Sequence, residues 1–91
     1  MKYAYRIERH KGKYWGSVLD LQVCIGNGRT LKALEDDVRA AIEAWVESQT
    51  ERGYAIPPPR SRGDAAVEVT ERTAQLINAS IINRTKTSAR A

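Results

Sequence analysis

The sequence predicts an α+β fold in which a three-stranded antiparallel sheet packs on one long helix, followed by a short C-terminal strand and helix. In the first 25 or so residues, apolar side chains alternate with polar ones, which is the period of half-buried strands. From residue 31 they recur at three- and four-residue spacing, which indicates an amphipathic helix. A chain of 91 residues has room for one domain.

The strands are predicted from this alternation and from the turns between them. In KYAYRIERH, Tyr3, Tyr5 and Ile7 occupy alternate positions, with Arg6 and Glu8 on the other face, and the KGK that follows contains Gly12. Glycine takes positive φ at little cost, so the chain can reverse there and return through YWGSVL as a second strand. The third strand is predicted over LQVCIG, ended by GNG, with one face formed by Leu21, Val23 and Ile25.

The long helix is predicted to span about residues 31–52. Thr30 is a plausible N-cap, because its hydroxyl can accept a hydrogen bond from an amide of the first turn. Gly53 is a natural terminator, and the prolines at 57–59 cannot continue a helix. The apolar stripe expected to pack on the sheet contains Leu34, Val38, Ile42 and Trp45.

The chain divides into three segments by composition. Residues 1–56 form the predicted sheet-and-helix domain, 57–64 a proline-rich linker, and 65–91 a short strand, a helix over 71–83 and a basic tail. In the short strand, Val67 and Val69 are predicted to provide an unpaired edge that a second chain completes. We therefore expect a homo-oligomer, a dimer or higher.

Composition also bears on location and chemistry. No apolar run of about 18 residues and no signal-peptide pattern occurs, so we expect a soluble, cytoplasmic protein without a membrane partner. The single cysteine, Cys24, rules out an internal disulfide and multi-cysteine zinc motifs, and is interpreted as a small buried hydrophobe rather than a reactive thiol. No cofactor is predicted.

The net charge of +4 is distributed in blocks. Residues 1–30 carry six Lys/Arg against two Asp/Glu, residues 31–52 three against six, and residues 53–91 six against three. The acidic face of the helix is either an ordinary solvated face or an electrostatic surface for a basic protein partner. The latter hypothesis assigns partner binding to Glu35, Asp36, Glu43 and Glu47. The basic tail is similarly a solubilising end or a weak nucleic-acid contact formed by Arg84, Lys86 and Arg90.

Catalytic and metal sites are not favoured by the sequence. His10, the only histidine, falls at the predicted hairpin turn between Arg9 and Lys11, where an exposed turn residue is the simpler interpretation. The GNG at 26–28 lacks the remainder of a dinucleotide or P-loop pattern. A nuclease-like metal site would need converging carboxylates, for which the candidates are Glu8, Asp20 and Asp36. We therefore expect no enzymatic activity.

Taken in order, several segments resemble the N-terminal domain of the HicB family of antitoxins. They are the opening strand YAYRIERH, KYWGSVLDL, LDLQVC, GRTLKAL at the helix start and AIPPP at its exit, over about residues 2–61. The chain departs from the family pattern at Gln22 and Val23, where the family has Pro-Gly before the cysteine. Lys32 and Leu34 also make the helix start less acidic than is usual for the family.

The resemblance implies a partial ribonuclease-H-like fold that lacks the nuclease carboxylates. It also implies a function, which is to bind and occlude a small, basic, mRNA-cleaving toxin of the HicA type. HicB-type antitoxins usually add a C-terminal DNA-binding module, and VEVTERTAQLINASIIN offers only a strand and one helix of such a module. The alternative hypothesis is a dimeric DNA-binding transcriptional regulator that binds its operator through the C-terminal segment.

Overall fold

The computed structural model of the chain describes the backbone of residues 1–90 and the side chains of residues 1–80. Its elements are β1 (Lys2–His10), β2 (Lys13–Val18), β3 (Ile25–Gly28), α1 (Leu31–Glu51), β4 (Ala65–Glu68) and α2 (Glu71–Arg90). The strands form one sheet in the order β3-β2-β1-β4, and every neighbouring pair is antiparallel. The α+β class, with antiparallel strands, a long first helix and a C-terminal strand and helix, is therefore confirmed. The sheet has four strands rather than three, and α2 spans 20 residues, so it is longer than predicted.

The β1–β2 hairpin turns at the predicted glycine. Lys11 and Gly12 have φ of 50° and 77°, and His10 pairs with Lys13 across the turn. Positive φ at both central residues is the signature of a type I′ turn, whose twist matches that of the two flanking strands. The hairpin therefore has a defined register, with Tyr5 opposite Val18 at its other end.

The third strand differs from its prediction. Residues 19–23 form bends and turns, with the Cys24 amide donating to the Leu21 carbonyl at 2.8 Å, and β3 begins only at Ile25 and includes the GNG expected to end it. Leu21 is buried, but Val23 and Ile25 are 68% and 55% exposed. The expected inward face was wrong because the turn interrupts the alternation and because glycines, not apolar side chains, face the helix.

Helix α1 packs on the sheet so closely that the strands beneath it carry glycine. A Cβ built on Gly26 would lie 2.8 Å from the Val38 amide nitrogen, and one built on Gly28 would lie 2.6 Å from that of Leu34. These residues, with Gly16 of β2, belong to the helix-facing side of the sheet. The opposite side of β2 and β3 presents alternate residues, Trp15 and Asn27 among them, away from α1.

Both ends of α1 are capped as the sequence predicts. The Thr30 hydroxyl accepts from the Ala33 amide at 3.0 Å. At the other end Gly53 has φ of 77°, its amide donates to the Thr50 carbonyl and the Tyr54 amide donates to the Gln49 carbonyl. This pair of bonds is a Schellman motif, which satisfies carbonyls that the helix itself leaves unpaired.

The core lies between α1 and the sheet, and the buried stripe of α1 differs by one position from the predicted one. Leu34, Val38 and Ile42 are buried as expected, but the fourth fully buried position is Val46. Trp45 is only partly buried and packs against the edge of this cluster. Val46 lies four residues after Ile42 and follows the helical period more closely, so α1 is rotated slightly relative to the predicted orientation.

The C-terminal segment completes the same core rather than forming a separate one. β4 pairs with β1 over Lys2–Tyr5, and α2 packs on α1. Val67, Val69 and Ile77 are at most 5% exposed and belong to the main cluster. Residues 57–64 thus connect α1 to β4, a strand of the same sheet on which α1 packs. Helix α2 continues to Arg90, seven residues beyond its predicted end, and includes most of the predicted tail. Within the described chain, neither helix has the length and apolarity needed to cross a membrane.

Candidate functional site

The carboxylates predicted to bind a partner lie along one side of α1, and we call Glu35, Asp36, Glu43 and Glu47 the acidic stripe. Its first two carboxylates, Glu35 and Asp36, form ion pairs with basic residues of the same helix. Asp36 accepts from Lys32 Nζ at 2.8 Å and from Arg39 Nη1 at 3.1 Å, while Glu35 lies 3.8 Å from Arg39 Nη2. These i,i+3 and i,i+4 pairs are the neighbours that helical geometry brings together.

The second half of the stripe, Glu43 and Glu47, contacts the start of α2 and the residue before it. Glu43 Oε2 accepts from the Thr70 amide at 3.2 Å, immediately before α2, and Glu47 lies 3.7 Å from Arg72. Arg39 Nε donates to the Glu68 carbonyl at 2.9 Å. Side chains of α1 therefore cap part of the outer edge of β4, and the stripe lies beside this edge. The role of Arg39 depends on β4 and could not be inferred from the helical pattern alone.

Two carboxylates of the stripe remain well exposed. The side chains of Asp36 and Glu47 are 52% and 56% accessible, whereas that of Glu35 is 36% accessible. The hydrogen bond from Lys32 holds the pKa of Asp36 below its ordinary value, desolvation opposes this, and the charges of Lys32 and Arg39 add to the lowering. Asp36 is therefore fully ionised at neutral pH. The stripe is an anionic surface, partly neutralised by three cations that pair with it, Lys32, Arg39 and Arg72.

The two valines predicted to provide an oligomerisation edge lie inside the chain's own core. Val67 is 0% and Val69 5% exposed, so a second chain cannot contact their side chains. The outer edge of β4 offers backbone groups instead, because alternate residues of an edge strand point their amides and carbonyls outward. Of these, the Glu68 carbonyl accepts from Arg39, so this edge offers a second strand few backbone groups, chiefly those of Ala66. Self-association stays a prediction.

The remaining candidates are dispersed. His10 is an exposed residue next to the hairpin turn. Cys24 is buried, which raises the pKa of its thiol to about 11, and its sulfur lies 3.9 Å from the Ala41 carbonyl oxygen. Among the side chains of residues 1–80, no group of three or more His, Cys, Asp and Glu residues could hold a metal ion. The predicted nucleic-acid contacts Arg84, Lys86 and Arg90 lie outside the residues whose side chains are described.

Asp20, one of the three candidate metal ligands, has an internal role. Its Oδ2 accepts from the amides of Arg60 and Ser61 at 2.7 and 2.8 Å, and its Oδ1 accepts from the Ser61 hydroxyl at 2.7 Å. Slight burial acts to raise the pKa of this carboxyl, but the hydrogen bonds outweigh it and hold the pKa below the ordinary 3.8. Asp20, which follows β2, thus anchors the segment 57–64 that connects α1 to β4.

We expect Asp20→Asn to destabilise the fold by about 1–2 kcal/mol at neutral pH, since a neutral amide offers one acceptor in place of a carboxylate with two. A carboxyl whose pKa is depressed by folding stabilises the protein above its unfolded pKa and loses that contribution as pH falls through the folded value. Urea unfolding at pH 7 and pH 3 should therefore show a difference between parent and variant that shrinks at pH 3. A difference in unfolding free energy that is the same at both pH values would contradict this role for the Asp20 charge. The control is Asp37→Asn, because Asp37 accepts one backbone hydrogen bond, from the Asn27 amide, where Asp20 accepts two.

No known family model matches this chain, and no curated protein sequence matches it. The HicB resemblance therefore remains a hypothesis that rests on the segments in which it was found.

Proposed function

We propose that this chain is an antitoxin-like protein that binds a small, basic, mRNA-cleaving toxin of the HicA type and occludes its catalytic residues. The observation that carries the proposal is the acidic stripe, in which Asp36 is exposed beside Arg39 and Glu47 is exposed beside Arg72 of α2. A protein that binds RNA needs basic surface, and a complementary acidic surface accelerates its association and selects it among partners. The chain acts by occupying that basic surface and performs no chemistry itself.

The order of the elements supports the same proposal. A HicB-like domain, as the resemblance implies, has three antiparallel strands, a helix and a further short strand. β1, β2, β3, α1 and β4 follow one another in this order, and β4 joins the sheet next to β1. The long helix lies across one face of the sheet and leaves its acidic side accessible, which suits a protein that acts by covering another.

The stripe divides into carboxylates that support the fold and carboxylates that are available to a partner. Glu43 accepts from the Thr70 amide at the start of α2, so its reversal to lysine would disturb the C-terminal segment. Asp36 pairs with the exposed Lys32 and with Arg39, whose side chain is 28% accessible, and Glu47 pairs with the exposed Arg72. Both carboxylates are themselves more than half accessible, and ion pairs at the surface contribute little to stability. We therefore expect Asp36 and Glu47 to tolerate reversal to lysine without loss of the fold.

The test is the double variant Asp36→Lys with Glu47→Lys, measured against a small basic protein of the HicA type, to be sought in the reading frames adjacent to that of this chain. We expect its association rate at low salt to fall about tenfold or more, because long-range attraction becomes repulsion, and the difference to shrink at high salt. Stopped-flow fluorescence at two salt concentrations measures this. The control is Glu8→Lys, a charge reversal at an exposed residue of β1 that lies on the side of the sheet away from α1.

The parent chain should also protect mRNA from that protein in a cleavage assay. Absence of both binding and protection overturns the antitoxin proposal. Protection with equal association rates for the double variant and the control would reject only the acidic stripe as the binding surface. Circular dichroism of each variant confirms that a lost effect does not come from unfolding.

A further inference from the structure

The side of the sheet away from α1 carries an exposed tryptophan. Trp15 is 39% exposed in the middle of β2, and its register places Glu8 of β1 on one side and Asn27 of β3 on the other. Next to this row, Ser17 pairs with Ile25, which is 55% exposed. Because directly opposite residues point to the same face, these side chains surround the indole ring on one flat surface. No part of the fold requires a tryptophan there, since Trp15 is outside the buried cluster.

Basic residues gather at the hairpin end of this surface. Residues 6–15 contain four Lys/Arg against one Glu, and of these Arg9 lies on the other face of the sheet, paired with Tyr14. The turn at Lys11 and Gly12 lies beyond the ends of β3 and β4. Lys13 lies on the same face as Trp15, two residues before it. Arg29 follows Gly28, which pairs with Tyr14, so it adds a cation at the same end. Among the described side chains, none of these cations forms an ion pair with a carboxylate.

We propose that the open sheet face and the hairpin tip bind single-stranded nucleic acid. Trp15 stacks on one base, Ile25 extends the apolar contact, and Arg6 and Lys13 on the same face contact phosphates together with Lys11 of the turn. An aromatic platform beside a basic groove is the arrangement by which sheets bind single strands without strong sequence preference. The charge of this surface is opposite to that of the acidic stripe, so an anionic polymer is its matching partner.

The surface favours a single strand over a duplex for two reasons. Stacking on Trp15 requires a base whose face is free, and base pairs in a duplex are stacked on each other. The side chains beside the ring, Ser17 and Asn27, are short, so a base can lie flat on the sheet and its edge can reach their hydroxyl and amide groups. Glu8 is the one carboxylate beside the ring, and it repels phosphate.

The experiment uses the full chain and fluorescein-labelled dodecamers, oligo(U) and a mixed-sequence duplex, followed by fluorescence anisotropy. We expect oligo(U) to bind more tightly than the duplex, and its affinity to fall roughly 50-fold between 50 and 200 mM salt if about four phosphates are contacted. Trp15→Ala should weaken binding about tenfold or more, which is the range for loss of one stacked base. Its matched control is Tyr54→Ala, since Tyr54 is a 60% exposed aromatic that follows the far end of α1.

Two charge variants keep the test independent of the tryptophan. Lys11→Glu with Lys13→Glu should abolish binding, whereas Glu8→Gln should strengthen it, because a carboxylate facing the phosphates is removed. Tighter binding of the duplex, equal affinities for Trp15→Ala and Tyr54→Ala, or binding abolished only by replacing Arg84, Lys86 and Arg90 would each overturn the proposal. This surface and the acidic stripe are separate, so failure here leaves the antitoxin proposal unaffected.

Discussion

A chain that ends at residue 64 is expected to be unfolded. It would lack Val67, Val69 and Ile77, which are almost fully buried in the main core. Burial of each such side chain is worth about 1.5–3 kcal/mol, so the loss of all three approaches the roughly 5–14 kcal/mol that stabilises a chain of this size. The truncation would also remove the strand that pairs with Lys2–Tyr5 of β1 and uncover Tyr3, which is 0% exposed.

The matched control is a chain that ends at residue 80. It retains β4 and every side chain whose burial in the core is described, so it should unfold cooperatively on heating. Circular dichroism and the dispersion of amide NMR signals distinguish the two truncations. If the 1–64 chain is folded, the C-terminal segment is not needed for the core. That result would support the division into a domain, a linker and a separate C-terminal segment that composition predicts.

Gly26→Ala is expected to destabilise the protein by about 3 kcal/mol, which corresponds to a fall in Tm of about 15 °C. The added methyl group would lie 2.8 Å from the Val38 amide nitrogen and 3.0 Å from its Cα, and backbone atoms cannot rotate away as a side chain can. The sign of the change in stability tests the close contact. Without such a contact, replacing a strand glycine by alanine reduces the entropy of the unfolded chain and stabilises the fold slightly.

Asn27→Ala is the control for this variant. Asn27 is the next residue of β3 and faces away from α1, so the change should alter Tm by only a few degrees. Thermal unfolding followed at 222 nm measures both. Equal midpoints for Gly26→Ala and the parent would mean that α1 does not approach β3 as closely as described.

The sequence predicted best where one or a few neighbouring residues decide the structure. Thr30 caps α1, Gly53 ends it and Gly12 turns the first hairpin, and each acts through groups within five residues along the chain. The third strand was less predictable, because LQVCIG alternates in composition as a strand would. Its turn comes from the hydrogen bond between Cys24 and Leu21, and the glycines that follow are needed only because α1 lies on them.

The contacts at the candidate sites also divide into those that local spacing predicts and those that depend on the tertiary structure. That Glu35 and Asp36 pair with cations of their own helix follows from helical spacing. The hydrogen bond between Glu43 and the Thr70 amide depends on where β4 ends. The spacing of residues along α1 carries no information about that position. Trp15 was part of an alternating strand in the sequence, and only the position of α1 on the other side of the sheet leaves its ring exposed.

By itself, the sequence determined the α+β class, the extent of α1, the first hairpin and the sign of charge on each block of the chain. These follow from hydrophobic period, capping groups and composition, which act locally or as sums over a segment. The tertiary structure decided that β4 joins β1, that Val46 rather than Trp45 is fully buried, and which charged side chains meet. Such choices depend on contacts between residues far apart in the chain, where the closest packing of whole surfaces prevails over the preference of any one segment.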